Sequence, residues 1–209
     1  MKFYDCSTAP SPRRVRMFIA EKGLDIPVVE VNLREQEQLS AEFLKINPQA
    51  TVPVLELDDG SRLLSTAGCR AYLESAYPTP ALLGRTPSER GRVADIISKI
   101  ENNGLAAVAE ALRNSAKAMK NRAVPGPDNY EQIPELAERG RQRAARFFKS
   151  LDQIVGQQAF MAGDAFSAAD IDALMFVDFV KWIKVAMPDD CENLIRWYGE
   201  VSQRPSAKL

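Results

Sequence analysis

Through residue 77 the apolar positions of this chain switch between strand-like and helix-like spacing; beyond residue 86 only the helical spacing remains. Residues 2–6 read as a short strand, broken at Ser7-Thr8-Ala9-Pro10. Ser11-Pro12 then predicts a helix start, with serine as the cap and proline at the first helical position. Val15, Phe18 and Ile19 share one face of that helix, and Gly23 marks its stop. Val28 to Val31 predicts a second strand, parallel to the first across a right-handed β-α-β crossover. A short helical or irregular piece around Glu42 to Ile46 ends at Asn47-Pro48. Val54 to Leu57, Asp58-Asp59-Gly60 and Arg62 to Leu64 predict a hairpin, because Asp-Gly is a strong hairpin turn. Ser65 caps a helix running to about Tyr77. This order predicts a small mixed sheet flanked by helices.

Pro78, Pro80 and Pro87 punctuate a linker, and strand signals stop there. Four helical stretches are expected: Val93 to Lys120, Leu136 to Ile154, Ser167 to about Val185, and Leu194 to Gln203. A loop at Val124-Pro125-Gly126-Pro127-Asp128 follows the first. Ser167 and Asp170 form a capping-box variant ahead of Ile171, Leu174 and Met175, which is assigned to folding rather than chemistry.

Composition removes several kinds of chemistry. Among 209 residues there is no histidine, which excludes Ser-His and Cys-His nucleophile pairs and most zinc sites. The three cysteines, Cys6, Cys69 and Cys191, are odd in number and widely spaced, so they suggest neither a disulfide framework nor a Cys-x-x-Cys pair. The net charge of −1 gives no electrostatic reason to bind nucleic acid. No apolar leader and no stretch of about 20 apolar residues is found, so neither secretion nor membrane insertion is expected, and reduced cysteines fit the cytoplasm.

Three segments carry a resemblance. The first is Ala9-Pro10-Ser11-Pro12-Arg13-Arg14-Val15-Arg16 leading to Ala20-Glu21-Lys22-Gly23. The second is Phe43 to Pro48 with Val52-Pro53-Val54-Leu55, then Ser65-Thr66-Ala67. The third is Ala162 to Ile171 with the closing Arg204-Pro205-Ser206. In this order and spacing the sequence resembles the cytosolic glutathione transferase family, of the bacterial type with a serine-like site. That resemblance implies an α/β thioredoxin-like N-terminal domain (1–79) and an all-α C-terminal helical domain (86–209). It also implies a homodimer in the cytoplasm, with glutathione as co-substrate, no permanently bound cofactor and no metal. The reaction implied is attack of the glutathione thiolate on a small apolar electrophile, a detoxification chemistry.

The resemblance further implies that Pro53 is cis, so that Val52 offers its backbone to the cysteinyl unit of glutathione. A plain strand-entry proline is the simpler reading. Ser65 and Thr66 open a helix whose free N–H groups suit a carboxylate, such as that of the γ-glutamyl end; Ser65 can also simply cap its own helix. Ser11 is the candidate to stabilise the thiolate, with Thr8 in reserve, though Ser11 reads equally as a plain cap. Arg13 and Arg14 oppose the helix dipole and read most simply as solvated or paired.

Two positions depart from the family. The serine-type hydroxyl usually lies six residues before Val15, where this chain has Ala9, and Cys6 lies too early and reads as core. The residue before Ser65, commonly acidic or Gln, is Leu64. Glu101, from the same chain or a neighbouring subunit, is the candidate to hold the ligand's ammonium in its place. Gln38 and Thr51 are candidates at the glycyl end. Leu105, Val108, Leu112 and Trp182 are candidates for an electrophile pocket between the domains. Glutathione-dependent disulfide or peroxide reduction, and a non-catalytic binding module, are the alternatives that Ala9 and Leu64 keep open.

Overall fold

The computed structural model describes residues 1–156 and 158–209. Its residues cluster into two compact units. One comprises Met1–Pro80 with Pro125–Asn129 and Leu209; the other comprises Ala81–Val124 with Tyr130–Lys208.

In the first unit, β1 (Lys2–Asp5) leads to α1 (Pro10–Glu21) and then β2 (Val28–Glu30), which pairs parallel to β1. A short α2 (Ala41–Leu44) precedes β3 (Val54–Glu56) and β4 (Arg62–Leu63), and α3 (Thr66–Ala76) completes the unit. The sheet order is β2-β1-β3-β4, with β3 antiparallel to both its neighbours. The hairpin and the parallel crossover stand as the sequence predicts.

The start of α1 does not. Ala9 occupies the cap without a side-chain hydrogen bond, Pro10 is the first helical residue and Ser11 lies inside the first turn. The first three N–H groups of a helix have no intrahelical partner, so prolines 10 and 12 both fit there without loss. With two prolines acceptable, the helix gains a turn position over the reading that starts at Ser11.

Lys22 is also unlike its appearance in sequence. It sits at the C-cap of α1, where a lysine ordinarily reaches water, yet its side chain is fully buried. Its ammonium donates to the carbonyls of Tyr77 (2.7 Å) and Pro80, pairs with Glu74, and stands 5.4 Å from the Phe18 ring centre. Four acceptors for one desolvated charge tie the end of α1 to the end of α3. The Val52-Pro53 and Thr79-Pro80 bonds are both cis.

The second unit is helical. Pro87, read above as linker punctuation, is instead the first residue of α4 (Pro87–Lys99), capped by Thr86. A π-helical segment, Ile100–Leu105, joins α4 directly to α5 (Ala106–Arg113). The expected continuation to Lys120 fails at Asn114 and Ser115. Their side chains donate back to the carbonyls of Glu110 (2.9 Å) and Ala111 (2.7 Å), and Asn114 Oδ1 accepts the Ile133 N–H at 2.9 Å. Such local bonds compete with the helical ladder.

α6 (Pro134–Val155) and α8 (Glu192–Val201) match their predicted helices to within two residues, while α7 (Ala168–Phe179) stops short of the expected Val185 and passes into a 3-10 turn, Val180–Ile183. α5 packs closely on α6. A Cβ at Gly140 would lie 2.6 Å from the Ala107 carbonyl and 2.7 Å from the Ala111 nitrogen, so no larger residue fits without moving backbone. Among the described residues no helix is long and apolar enough to cross a membrane.

The capping box forms with both its reciprocal bonds. Asp170, fully buried, also does more than close it. Its carboxylate accepts from the N–H groups of Met161 (2.8 Å) and Ser167 (2.9 Å), the Ser167 hydroxyl and the Trp197 indole N–H (2.9 Å). Burial pushes its carboxyl up to about 6 even against these donors. The unfolded chain therefore releases this proton first as pH rises. The contribution of the site to stability is full below about 3.8 and is lost through about 6.

Replacing Asp170 with Ala leaves several buried donors without an acceptor. It should lower the unfolding free energy by about 3 kcal/mol or more in denaturant titrations. The stability gap between wild type and Asp170→Asn should narrow as pH rises from about 4 to about 6 and then hold level.

Candidate functional site

Most of the predicted site residues lie in the first unit, and its geometry brings three groups of them into order. The first is the amino end of α1. Pro10 and Pro12 have no N–H, and the Arg13 N–H bonds to the Ala9 carbonyl at 3.3 Å. The Ala9 N–H bonds to the Cys6 carbonyl at 2.9 Å. In the first turn that leaves the N–H of Ser11, and among the described residues neither it nor the Ser11 hydroxyl has a hydrogen-bond partner. A helix usually presents several open donors here; α1 presents one, with a hydroxyl on the same residue.

The second group is the amino end of α3. Ser65 is its cap, its hydroxyl accepting the Gly68 N–H at 3.0 Å, while the Cys69 N–H goes to the Ser65 carbonyl. The N–H groups of Thr66 and Ala67 have no partner among the described residues. Thr66 joins the two helix ends: its hydroxyl donates to the Ser11 carbonyl at 3.5 Å and accepts from Arg14 Nη2 at 3.4 Å. Arg14 is buried, so the solvated reading is wrong for it.

The third is the turn before β3. Asn47, fully buried, donates to the carbonyl (2.8 Å) and hydroxyl (3.0 Å) of Thr51, and its Oδ1 accepts the Gln49 N–H. Thr51 is thus engaged in shaping its own turn. The next residue, Val52, has no backbone hydrogen bond among the described residues, so both its N–H and its C=O stay open. Its side chain packs with Leu64 on the cluster of Tyr4, Val31, Phe43 and Val54. Leu64 therefore belongs to the core, and offers no charge to a ligand.

The other candidates fall less tightly. Thr8 is exposed, its Oγ1 3.5 Å from Cys6 Sγ. Gln38 lies in a 3-10 turn, Glu37–Leu39, with a buried Oε1 that has no partner among the described residues. In the second unit, Glu101 lies in the π-helical segment and Leu105 ends it. Val108 is fully buried on α5, Leu112 is half-buried, and Trp182 is 53% exposed in a 3-10 turn, Val180–Ile183, that packs against α5.

None of the cysteines is an accessible thiol. All three are buried, and burial pushes Cys69 up to about 12 and raises Cys191. Two residues that sequence reasoning passed over, Arg16 and Glu30, hold the loop leading to α1. Arg16 Nη1 donates to Asp5 Oδ1 at 2.7 Å, and Glu30 accepts from Ser7. Only the strand-helix-strand arrangement brings these positions together, so no local signal marked them.

The Ser65 cap carries a first prediction. Ser65→Ala should lower stability by about 1 kcal/mol in thermal or chemical unfolding, and should weaken capture of a carboxylate ligand at the same helix end.

The comparisons with known proteins agree with this layout. The pattern describing the glutathione S-transferase N-terminal domain matches residues 8–76, and that of the C-terminal domain matches residues 105–205. The chain is 33% identical over 211 residues to glutathione S-transferase 2 of Saccharomyces cerevisiae, covering all of this chain and 88% of that one. The crystal structure of Gtt2 from Saccharomyces cerevisiae superposes with a TM-score of 0.90 at 32% identity, over 100% of this chain and 99% of that one. A glutathione S-transferase domain-containing protein of Marinobacter aquaeolei superposes with a TM-score of 0.89 at 32% identity, over 99% of each chain. With this chain matched along its whole length by a relative at 33% identity, and both domain patterns in sequence order, it belongs to the glutathione S-transferase family.

Proposed function

We propose that the first unit binds glutathione through backbone groups and that Ser11 holds its sulfur as the thiolate. The observation that carries this reading is the open N–H and hydroxyl of Ser11, alone in a first turn otherwise closed by two prolines. A helix end and a hydroxyl donor favour a thiolate over a thiol. Val52 would pair with the cysteinyl backbone through its open N–H and C=O, as an added strand does. The N–H groups of Thr66 and Ala67, with Ser65 beside them, suit the γ-glutamyl carboxylate. Gln38 and Thr51 would stand at the glycyl end, where the buried Gln38 oxygen is an acceptor still to be used.

The chemistry follows from the thiolate. The sulfur attacks an electrophilic carbon, a C–S bond forms, and the leaving group departs with its electron pair. Leu105, Leu112 and Trp182 would supply apolar surface for such a substrate; Val108, fully buried in the core, offers none. Glu101 would hold the ligand's ammonium, which Leu64 cannot do. The working form would be a cytoplasmic homodimer. Reduction of disulfides through an enzyme cysteine is disfavoured by Ala9 and by the burial of Cys6.

Spectroscopic titration of bound glutathione tests the reading. The wild-type protein should hold the thiol ionised at least one pH unit below its free value, and Ser11→Ala should undo most of that, an effect of about 1.4 kcal/mol per unit. Thr8→Ala should leave the midpoint in place. Retention on immobilised glutathione with no conjugation of an aryl halide would instead favour a binding module. Glu101→Gln should weaken glutathione binding; unchanged binding would remove Glu101 from the site.

A further inference from the structure

Ser11 is placed by the loop that precedes it, and that loop is held from two sides. Arg16 lies on α1 beyond the first turn, but its guanidinium reaches back across the loop. Nη1 donates to both carboxylate oxygens of Asp5, at 2.7 Å to Oδ1, and Nη2 donates to the Ser7 carbonyl at 3.2 Å. The Asp5 side chain is 3% exposed and that of Arg16 17%, so this is a largely desolvated pair. From β2, Glu30 Oε1 accepts both the Ser7 N–H and the Ser7 hydroxyl, each at 2.9 Å. Ser7 is exposed, yet its N–H, hydroxyl and carbonyl are all engaged. The Ala9–Cys6 turn then delivers the chain to Pro10.

The charges matter as much as the geometry. β1 brings Asp5 and β2 brings Glu30 to this loop, and α1 brings Arg16, while Arg14 faces Thr66 at the start of α3. A buried carboxylate at the end of β1 raises the energy of any anion at the start of α1. A guanidinium whose Nη1 sits on both oxygens of that carboxylate removes most of its field. Losing one partner of such a pair strands the other charge without compensation.

We propose that Arg16 is a positioning residue for the reaction: with Glu30 it clamps Ser7, and it neutralises Asp5 so that Ser11 can hold a thiolate. The clamp rests on the assignment of Ser11 above, and the test separates the two. Arg16→Gln, Arg16→Lys and Glu30→Gln are compared with wild type in two measurements. One is affinity for S-methylglutathione, which has no thiol to ionise; the other is the pH midpoint of thiol ionisation in bound glutathione, alongside kcat and KM.

Arg16→Gln should keep an affinity for S-methylglutathione close to wild type. Its thiol midpoint should rise by about one pH unit, with kcat about ten-fold lower at neutral pH and recovering in alkali. Arg16→Lys, which keeps the charge but has no second nitrogen to hold the Ser7 carbonyl, should fall between. Glu30→Gln should keep the midpoint at or below wild type, because it removes a negative charge. If Arg16→Gln does not fold, Arg16→Lys carries the same two measurements. Equal losses of affinity for both ligands with an unmoved midpoint would reduce Arg16 to a structural role and overturn the proposal. A wild-type protein that binds S-methylglutathione without lowering the thiol midpoint would overturn the assignment of Ser11 first, and the clamp with it.

Discussion

The proposed site depends on backbone donors that the fold leaves open. Buried N–H groups almost always find a partner in the protein or in ordered water, so each one left open has a local cause. At α1 two prolines remove the competing donors and isolate the Ser11 N–H. At α3 the Ser65 hydroxyl takes the Gly68 N–H, leaving those of Thr66 and Ala67 aimed past the helix end. Around Val52 the chain is engaged, Thr51 by Asn47 and, beyond Pro53, Val54 by β1, while Val52 itself has no backbone hydrogen bond among the described residues. A tripeptide is mostly backbone and carboxylate, so a surface of open backbone donors matches it.

Reliance on backbone also accounts for what the chain can do without. It has no histidine, Ala9 stands where the resemblance implies a serine hydroxyl, and Leu64 packs half-buried against the core cluster. Side chains that other members use are absent, while the helix ends and the open rung they would supplement are intact. The remaining electrostatics fall to arginines. Arg14 is buried against Thr66 between the two helix ends, and Arg16 covers the buried carboxylate of Asp5.

Much of this was legible from local signals. The hairpin, the Ser65 cap and the Ser167–Asp170 box come from residues within a few positions of one another, the parallel crossover from the order of successive elements, and all stand. What escaped was either ambiguous locally or long-range. Two prolines two residues apart each satisfy the first turn of a helix, so the start of α1 could be placed at either. Pro87 looked like linker because a proline that opens a helix and one that precedes it have the same appearance. The burial of Lys22 depends on carbonyls more than fifty residues away, and the clamp on Ser7 joins three elements that only the folded sheet makes neighbours.

The account is tested most directly by a crystal structure with glutathione bound. It predicts the sulfur within hydrogen-bond distance of both the N–H and the hydroxyl of Ser11, with the cysteinyl backbone paired to Val52. A sulfur resting against any other group, with the Ser11 N–H turned to water, would contradict it.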